Sequence, residues 1–402
     1  MPSQIFISNR KNLLQRLNGA LVVVVAYTSL QRQNDAAFRF QQEANFWYLS
    51  GIEQPDWQLI IDGQSGKSWL IAPDIDDVHR VFEGGLSHQE AQKISGVDAV
   101  ILHKDAESLL RTLAKKHSMV YALGEHPHSE HFNFHENPAQ RQLWRVLERI
   151  FNSVQDCRPE LAKLRAIKQP EEIAAMKRAI RLSTDAFELV KNKLPDLKCE
   201  YEIEAEFDYY FKRHGVDHAY EPIVAGGKNA CTLHYGANNM KLKKNSLLLL
   251  DIGARYNGYS ADISRTYALG EPTKRQQAVH MAVEQAHIEI VNLLKPGLRV
   301  LEYQDRVDTI MKQALLGLGL MKDDADEVAY RTYFPHAVSH GLGIDTHDSL
   351  GGPETFLEGM VLTVEPGIYI PEEGIGVRIE DDILITKKGH ENLSRRLSTG
   401  LS

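Results

Sequence analysis

The chain has 402 residues, 43% of them hydrophobic and 25% charged, with 46 Lys and Arg against 54 Asp and Glu for a formal net charge of −8. That length gives room for two domains, and the composition excludes a disordered, collagen-like or disulfide-stapled chain. The acidic balance, without a Lys/Arg run, argues against a nucleic-acid partner or an anionic membrane surface, because phosphate recognition needs clustered positive charge.

The longest apolar run, Ala20 to Tyr27, falls far short of the ~20 residues that cross a bilayer. Arg10, Lys11 and Arg16 precede it as in a signal peptide, yet no small-residue cleavage site follows at Thr28 to Arg32, and four consecutive valines read better as a buried strand. β-rich runs at 20–27, 58–62, 68–72, 98–102 and 118–123 alternate with amphipathic stretches such as 105–116, which predicts an α/β amino-terminal domain over residues 1–159. A second domain, 160–402, opens on a long helix with Pro170 in its first turn and Glu171 and Glu172 at its positive end. Helices near 200–214, 274–294 and 300–318, with strands at 246–267, 360–370 and 376–386, predict an α+β layer. Cys157, Cys199 and Cys231 are odd in number and widely spaced. They indicate neither a disulfide framework nor a thiolate metal site, and the expected compartment is the reducing cytoplasm.

Polar residues interrupt strands that should be apolar. In "SLLLLDIGARYNGYSADISRTYAL" the Asn257-Gly258 turn signal pairs Tyr256 with Tyr259 and, counting back, Asp251 with Ser264. Asp251 and Asp262 then lie diagonally on one face, where two carboxylates need compensating cations, protons or hydrogen bonds. The segment alone leaves open that Asp262 caps a turn and Asp251 ends a strand. Further on, Glu365 interrupts "MVLTVEPGIYI", and "GIGVRIEDDILIT" puts Arg378, Glu380 and Asp382 on one face of a strand. Here too a solvated Arg378 pair, with Glu365 simply ending its strand before Pro366, is an open alternative. "FPHAVSHGLGIDTHDSLGG" carries His336, His340 and His347 among glycines, and His234 stands in "CTLHYGANN". A denser cluster, His126, His128, His131 and His135, has no helical or strand spacing and reads as an exposed loop rather than a metal site.

Taken in order, Asp251, Asp262, His340, Glu365 and Glu380, within "LLLLDIG", "YSADISRT", "SHGLGIDTHD", "VLTVEPGIYI" and "GVRIEDDI", resemble the ligand set of the dinuclear metallopeptidases of pita-bread fold. These include methionine aminopeptidase, prolidase and aminopeptidase P. The stretch "FRFQQEANFWYLSGIEQPD" is similar to the amino-terminal domain of the aminopeptidase P and prolidase branch. The resemblance therefore implies an α/β amino-terminal domain followed by an α+β pita-bread catalytic domain, with a curved, mainly antiparallel sheet covered by helices. It also implies hydrolysis of Xaa-Pro bonds.

By the same resemblance, the counterpart of Asp251 binds one ion, those of His340 and Glu365 the other, and those of Asp262 and Glu380 bridge. Four carboxylates and one imidazole form a hard donor set suited to two divalent ions, Mn²⁺ first, with Co²⁺ or Zn²⁺ as alternatives. Glu365 would move the proton of the attacking water, and His234 and His347 would stabilise the tetrahedral intermediate. His336, Tyr369 and Arg378 would line the proline pocket together with His347, and Asp35 in "QRQNDAAFRF" would close the site. The partners implied are small peptides with proline second and further copies of the chain, as a homodimer or homotetramer.

The chain departs from the aminopeptidase P pattern near "VFEGGLS", where relatives commonly carry a tryptophan and arginines that shape a neighbouring subunit's pocket. Val81, Gly84 and Gly85 stand there instead. This keeps a dipeptide-restricted prolidase as the alternative to an Xaa-Pro aminopeptidase. From another class, a catalytically inactive interaction module on the same fold is the rival, against which the intact ligand set speaks.

Overall fold

The structure, a computed structural model, describes residues 1–126 and 134–402, so His128 and His131 lie outside the described residues. The chain separates into two compact units, Met1–Leu164 and Arg165–Ser402.

In the first unit the strands are β1 (Leu21–Val25), β2 (Gln31–Gln33), β3 (Ala36–Ala37), β4 (Gln58–Asp62), β5 (Lys67–Ala72), β6 (Ala99–Leu102), β7 (Met119–Ala122) and β8 (Ser153–Asp156). Six of them form a sheet in the order β6-β5-β4-β1-β7-β8, with β1/β4 and β4/β5 antiparallel and the other pairs parallel. The valine run is β1, a central strand with all five residues buried, as expected of a strand covered on both faces. The helix Asp77–Glu83, which holds Val81, buries no side chain.

The second unit opens on the helix Pro170–Lys193, its proline in the first turn. Glu172 turns back to accept the Gln169 N–H at 2.7 Å and is buried, receiving the Tyr259 hydroxyl at 2.5 Å. The strands that follow are β9 (Asp217–His218), β10 (Ile223–Gly226), β11 (Ser246–Asp251), β12 (Ala254–Tyr256), β13 (Tyr259–Ser260) and β14 (Ser264–Leu269). After the helices Lys274–Leu293, Val300–Gly317 and Glu327–Tyr333 come β15 (Val361–Val364), β16 (Gly367–Ile370), β17 (Ile375–Arg378), β18 (Asp381–Thr386) and β19 (Gly389–Asn392). Every described ladder in this unit is antiparallel, in the groups β10-β11-β14, β13-β12-β9, β15-β18-β19 and β16-β17.

Two apolar cores fix which side chains face away from them. Leu248, Leu250, Ile252, Ala261 and Ile263 pack with the helices Pro170–Lys193 and Glu200–Arg213. Leu362, Val364, Ile375, Val377, Ile379, Ile383 and Ile385 pack with Lys274–Leu293 and Val300–Gly317. Because side chains alternate along a strand, Asp251, Asp262, Ser264, Thr363, Glu365, Arg378, Glu380 and Asp382 are directed to the opposite faces.

Candidate metal centre

The hairpin register is the one read from the sequence: Tyr256 opposes Tyr259 and Asp251 opposes Ser264. Between these pairs the ladder is interrupted but keeps step, with Ile252 N–H donating to the Ile263 carbonyl at 3.0 Å and Ala261 N–H to the Ala254 carbonyl at 3.0 Å. Asp251 and Asp262 are thereby held on one face. The turn is primed, with φ of 48° at Asn257 and 83° at Gly258.

The segment expected as one strand from 376 to 386 is two. Ile379 and Glu380 separate β17, which pairs with β16, from β18, which pairs with β15. The alternation survives the break, so Arg378, Glu380 and Asp382 still reach the same ribbon. Arg378 donates to Ser264 Oγ at 2.8 Å and to Asp251 Oδ2 at 2.5 Å, Glu380 Oε2 accepts from Ser264 Oγ at 2.8 Å, and Asp382 Oδ2 accepts the Asp262 N–H at 3.2 Å. Arg378 thus pairs with Asp251 rather than with Glu380 or Asp382, and it is buried rather than solvated.

His340 enters from the loop ahead of β15. Its N–H donates to Thr363 Oγ1 at 3.2 Å and its carbonyl accepts from Thr363 N–H at 2.9 Å, which fixes the histidine beside the strand that leads into Glu365. Nδ1 lies 2.9 Å from the Gly341 carbonyl, an acceptor only, so Nδ1 carries the proton. Nε2 is left facing Asp262 Oδ2 and Glu365 Oε1, each at 3.5 Å.

Three overlapping triads result, Asp251/Asp262/Glu380, His340/Glu365/Glu380 and Asp262/His340/His347, each with one ligand atom per residue within 4.8 Å of the others. Burial pushes the carboxyls of Asp262, Glu365 and Glu380 above their usual range, and neighbouring carboxylates, Asp251 in every case, add to the effect. For His340 burial acts downward, but the Asp262 hydrogen bond and the Glu365 charge outweigh it and raise the ring to about 9. Four converging carboxylates against one guanidinium and one imidazole leave an excess of buried negative charge. Hard oxygen donors at this spacing fit divalent cations, which would supply the missing charge.

Beside these groups Tyr369 OH receives Arg378 Nη1 at 2.9 Å and lies 2.9 Å from His336 Nε2. Burial and Arg378 depress the His336 ring to about 4. His347 stacks edge-on to His340 with centroids 4.3 Å apart. His234 lies exposed in the turn after the short helix Gly227–Cys231 and is in none of the triads. Asp35 is exposed in the β2–β3 turn of the first unit and is likewise outside them. His126 and His135, the described members of the denser cluster, are exposed. Tyr220 had no sequence signal, being a lone aromatic before a short strand, yet its hydroxyl donates to Asp251 Oδ1 at 2.6 Å.

Comparison with known proteins places this geometry in a family. Residues 174–387 match metallopeptidase family M24 and residues 6–121 match the aminopeptidase P N-terminal domain. The chain is 33% identical over 418 residues to the Xaa-Pro aminopeptidase of Escherichia coli K12, covering 97% of this chain and 94% of that protein. It is 33% identical over 391 residues to human Xaa-Pro aminopeptidase 3, covering 91% and 76%. Among solved structures, E. coli aminopeptidase P with the inhibitor Pro-Leu matches at TM-score 0.86 and 30% identity over 100% of this chain and 97% of that one. Proline aminopeptidase P II from Yersinia pestis matches at 0.84 and 31%, over 100% and 98%. The chain belongs to metallopeptidase family M24, in its aminopeptidase P branch, and is a metal-dependent peptidase.

Proposed function

We propose that the protein releases the N-terminal residue from peptides with proline in second position. The observation that carries this reading is the convergence of Asp251, Asp262, His340, Glu365 and Glu380 in overlapping groups whose ligand atoms lie within 4.8 Å of one another, in a chain similar over nearly its whole length to Xaa-Pro aminopeptidases. In this reading Asp251, Asp262, His340, Glu365 and Glu380 would together hold two divalent ions. The donor set favours Mn²⁺ by its hardness. Bound there, such ions supply Lewis acidity toward water and the scissile carbonyl.

The chain's own groups do the rest. Glu365 takes the proton of the attacking water and returns it to the proline nitrogen. His347 and His234 donate hydrogen bonds to the oxygen that gains charge, and His336, Tyr369 and Arg378 line the proline side. The roles of His234 and Asp35 rest on sequence resemblance alone. Proline needs such a pocket because it offers no N–H and fixes φ, which defeats strand-like recognition by general peptidases. Three free cysteines support a reducing, cytoplasmic setting, and assembly as a homodimer or homotetramer belongs to the same reading.

The test compares the dipeptide Ala-Pro with a tripeptide sharing that first bond. Release of alanine from the tripeptide is expected. Turnover of the dipeptide alone would replace the aminopeptidase reading with that of a prolidase, which the exposed Val81, Gly84 and Gly85 segment keeps as the second reading.

A further inference from the structure

The segment 341–348 closes on itself. Gly341 and Asp348 pair across its neck, Asp348 N–H donating to the Gly341 carbonyl at 2.9 Å. His340 and His347, each just before a neck residue, are the pair whose rings meet.

The Asp348 side chain turns inward beneath this neck. Oδ1 accepts the Ser349 N–H at 2.8 Å and lies 2.9 Å from Arg165 Nη2, while Oδ2 lies 3.8 Å from Lys168 Nζ. Arg165 Nη2 also donates to Asp345 Oδ2 at 2.6 Å on the same loop. The side chains of Asp348, Arg165 and Lys168 are 4%, 6% and 1% exposed, so one carboxylate meets two cations out of water, with Asp345 a second acid on Arg165. Lys168 Nζ makes no hydrogen bond among the described residues. A Cβ at Gly343 would stand 2.1 Å from Asp348 Oδ2 and 3.2 Å from Lys168 Nζ, so the carboxylate fills the hollow of the loop. None of these three residues belongs to the ligand triads.

We propose that Asp348, held between Arg165 and Lys168, is a positioning residue that keeps His347 beside His340 for the reaction. This rests on the reading of His347 as a substrate-facing donor. A buried ion cluster serving stability alone would cost folding free energy when broken but would have no particular coupling to His347.

The test is a double-mutant cycle on the metal-loaded enzyme with the Ala-Pro tripeptide, using Asp348→Asn, His347→Ala and the double variant. Asp348→Asn is expected to lower kcat by about 10–100-fold, the usual effect of losing a partner that orients an active-site group. In the His347→Ala background the same change should add less than about 2-fold. An unchanged kcat in Asp348→Asn, or losses that multiply in the double variant, overturns the proposal. Full activity of His347→Ala alone removes the donor reading of His347, and the proposal with it, while leaving the metallopeptidase reading standing. Should Asp348→Asn not fold, Lys168→Met carries the same cycle with the Arg165 contact intact. If neither gives folded protein by circular dichroism, the cluster holds the whole unit rather than the loop and the proposal fails.

Discussion

Ser264 and Glu380, 116 residues apart, are joined twice: Ser264 Oγ donates to Glu380 Oε2 at 2.8 Å, and the Glu380 N–H donates to the Ser264 carbonyl at 3.1 Å. Ser264 also opposes Asp251 in the β11–β14 ladder and accepts from Arg378 Nε at 2.8 Å. One hydroxyl therefore ties the ribbon carrying two aspartates to the ribbon carrying Glu380. Ser264→Ala removes that donor and leaves buried charged partners short of a bond, at about 1–3 kcal/mol. A roughly 10-fold weaker affinity for Mn²⁺ is expected by calorimetric titration of chelator-treated protein. An unchanged affinity would mean the serine is only packing.

Glu365 directly follows β15 and faces both His340 Nε2 and, through Oε2 at 3.5 Å, His336 Nδ1. On the proposed reading Glu365 serves as ligand and base together, so its loss removes two contributions at once. Glu365→Ala should lower kcat/KM by at least about 10³-fold while its circular dichroism matches the parent. Unchanged kinetics would contradict the assignment.

Gly253 sits where the aspartate ribbon is most crowded. A Cβ there would lie 1.8 Å from the Ala261 carbonyl oxygen and 2.9 Å from the Tyr220 ring. Gly253→Ala must force the two strands apart, and a loss of about 3 kcal/mol or more in urea unfolding is expected, at the upper end for single substitutions. A neutral result would show that the ribbon yields.

Two histidines away from the centre predict acid sensitivity. Burial lowers the pKa of His280, opposed by Glu284 and the Thr399 carbonyl, and of His287, opposed by Asp381 and Glu284 with Arg265 reinforcing the fall. The unfolded chain protonates these rings near about 6.5, and the folded chain only at lower pH. Between those values the unfolded state binds more protons, so stability falls as pH falls below about 6.5. Thermal midpoints of the metal-saturated protein should drop from pH 7.5 to 5.5, and less steeply in His280→Gln or His287→Gln. Equal slopes would contradict the assignment.

Much of the centre was legible because strand alternation is a strong physical filter. Asp251 within leucines, Glu365 within valines and Arg378, Glu380 and Asp382 between isoleucines are polar exceptions on the faces opposite the cores. The Asn257-Gly258 turn fixed the register that brings Asp251 and Asp262 together. The break at Ile379–Glu380 was not legible, because exchanging one partner strand for another depends on tertiary pairing and leaves the period-two pattern intact. Tyr220, Thr363 and the Arg165–Asp348–Lys168 cluster escaped for a similar reason: each acts through a contact between distant segments that no local spacing encodes.

The most direct measurement is the metal content and activity of the protein before and after chelation. The account predicts about two divalent ions per chain, loss of tripeptide hydrolysis when they are stripped, and its return with added Mn²⁺. A folded protein that binds no divalent ion, or one that cleaves as well without metal, would contradict it.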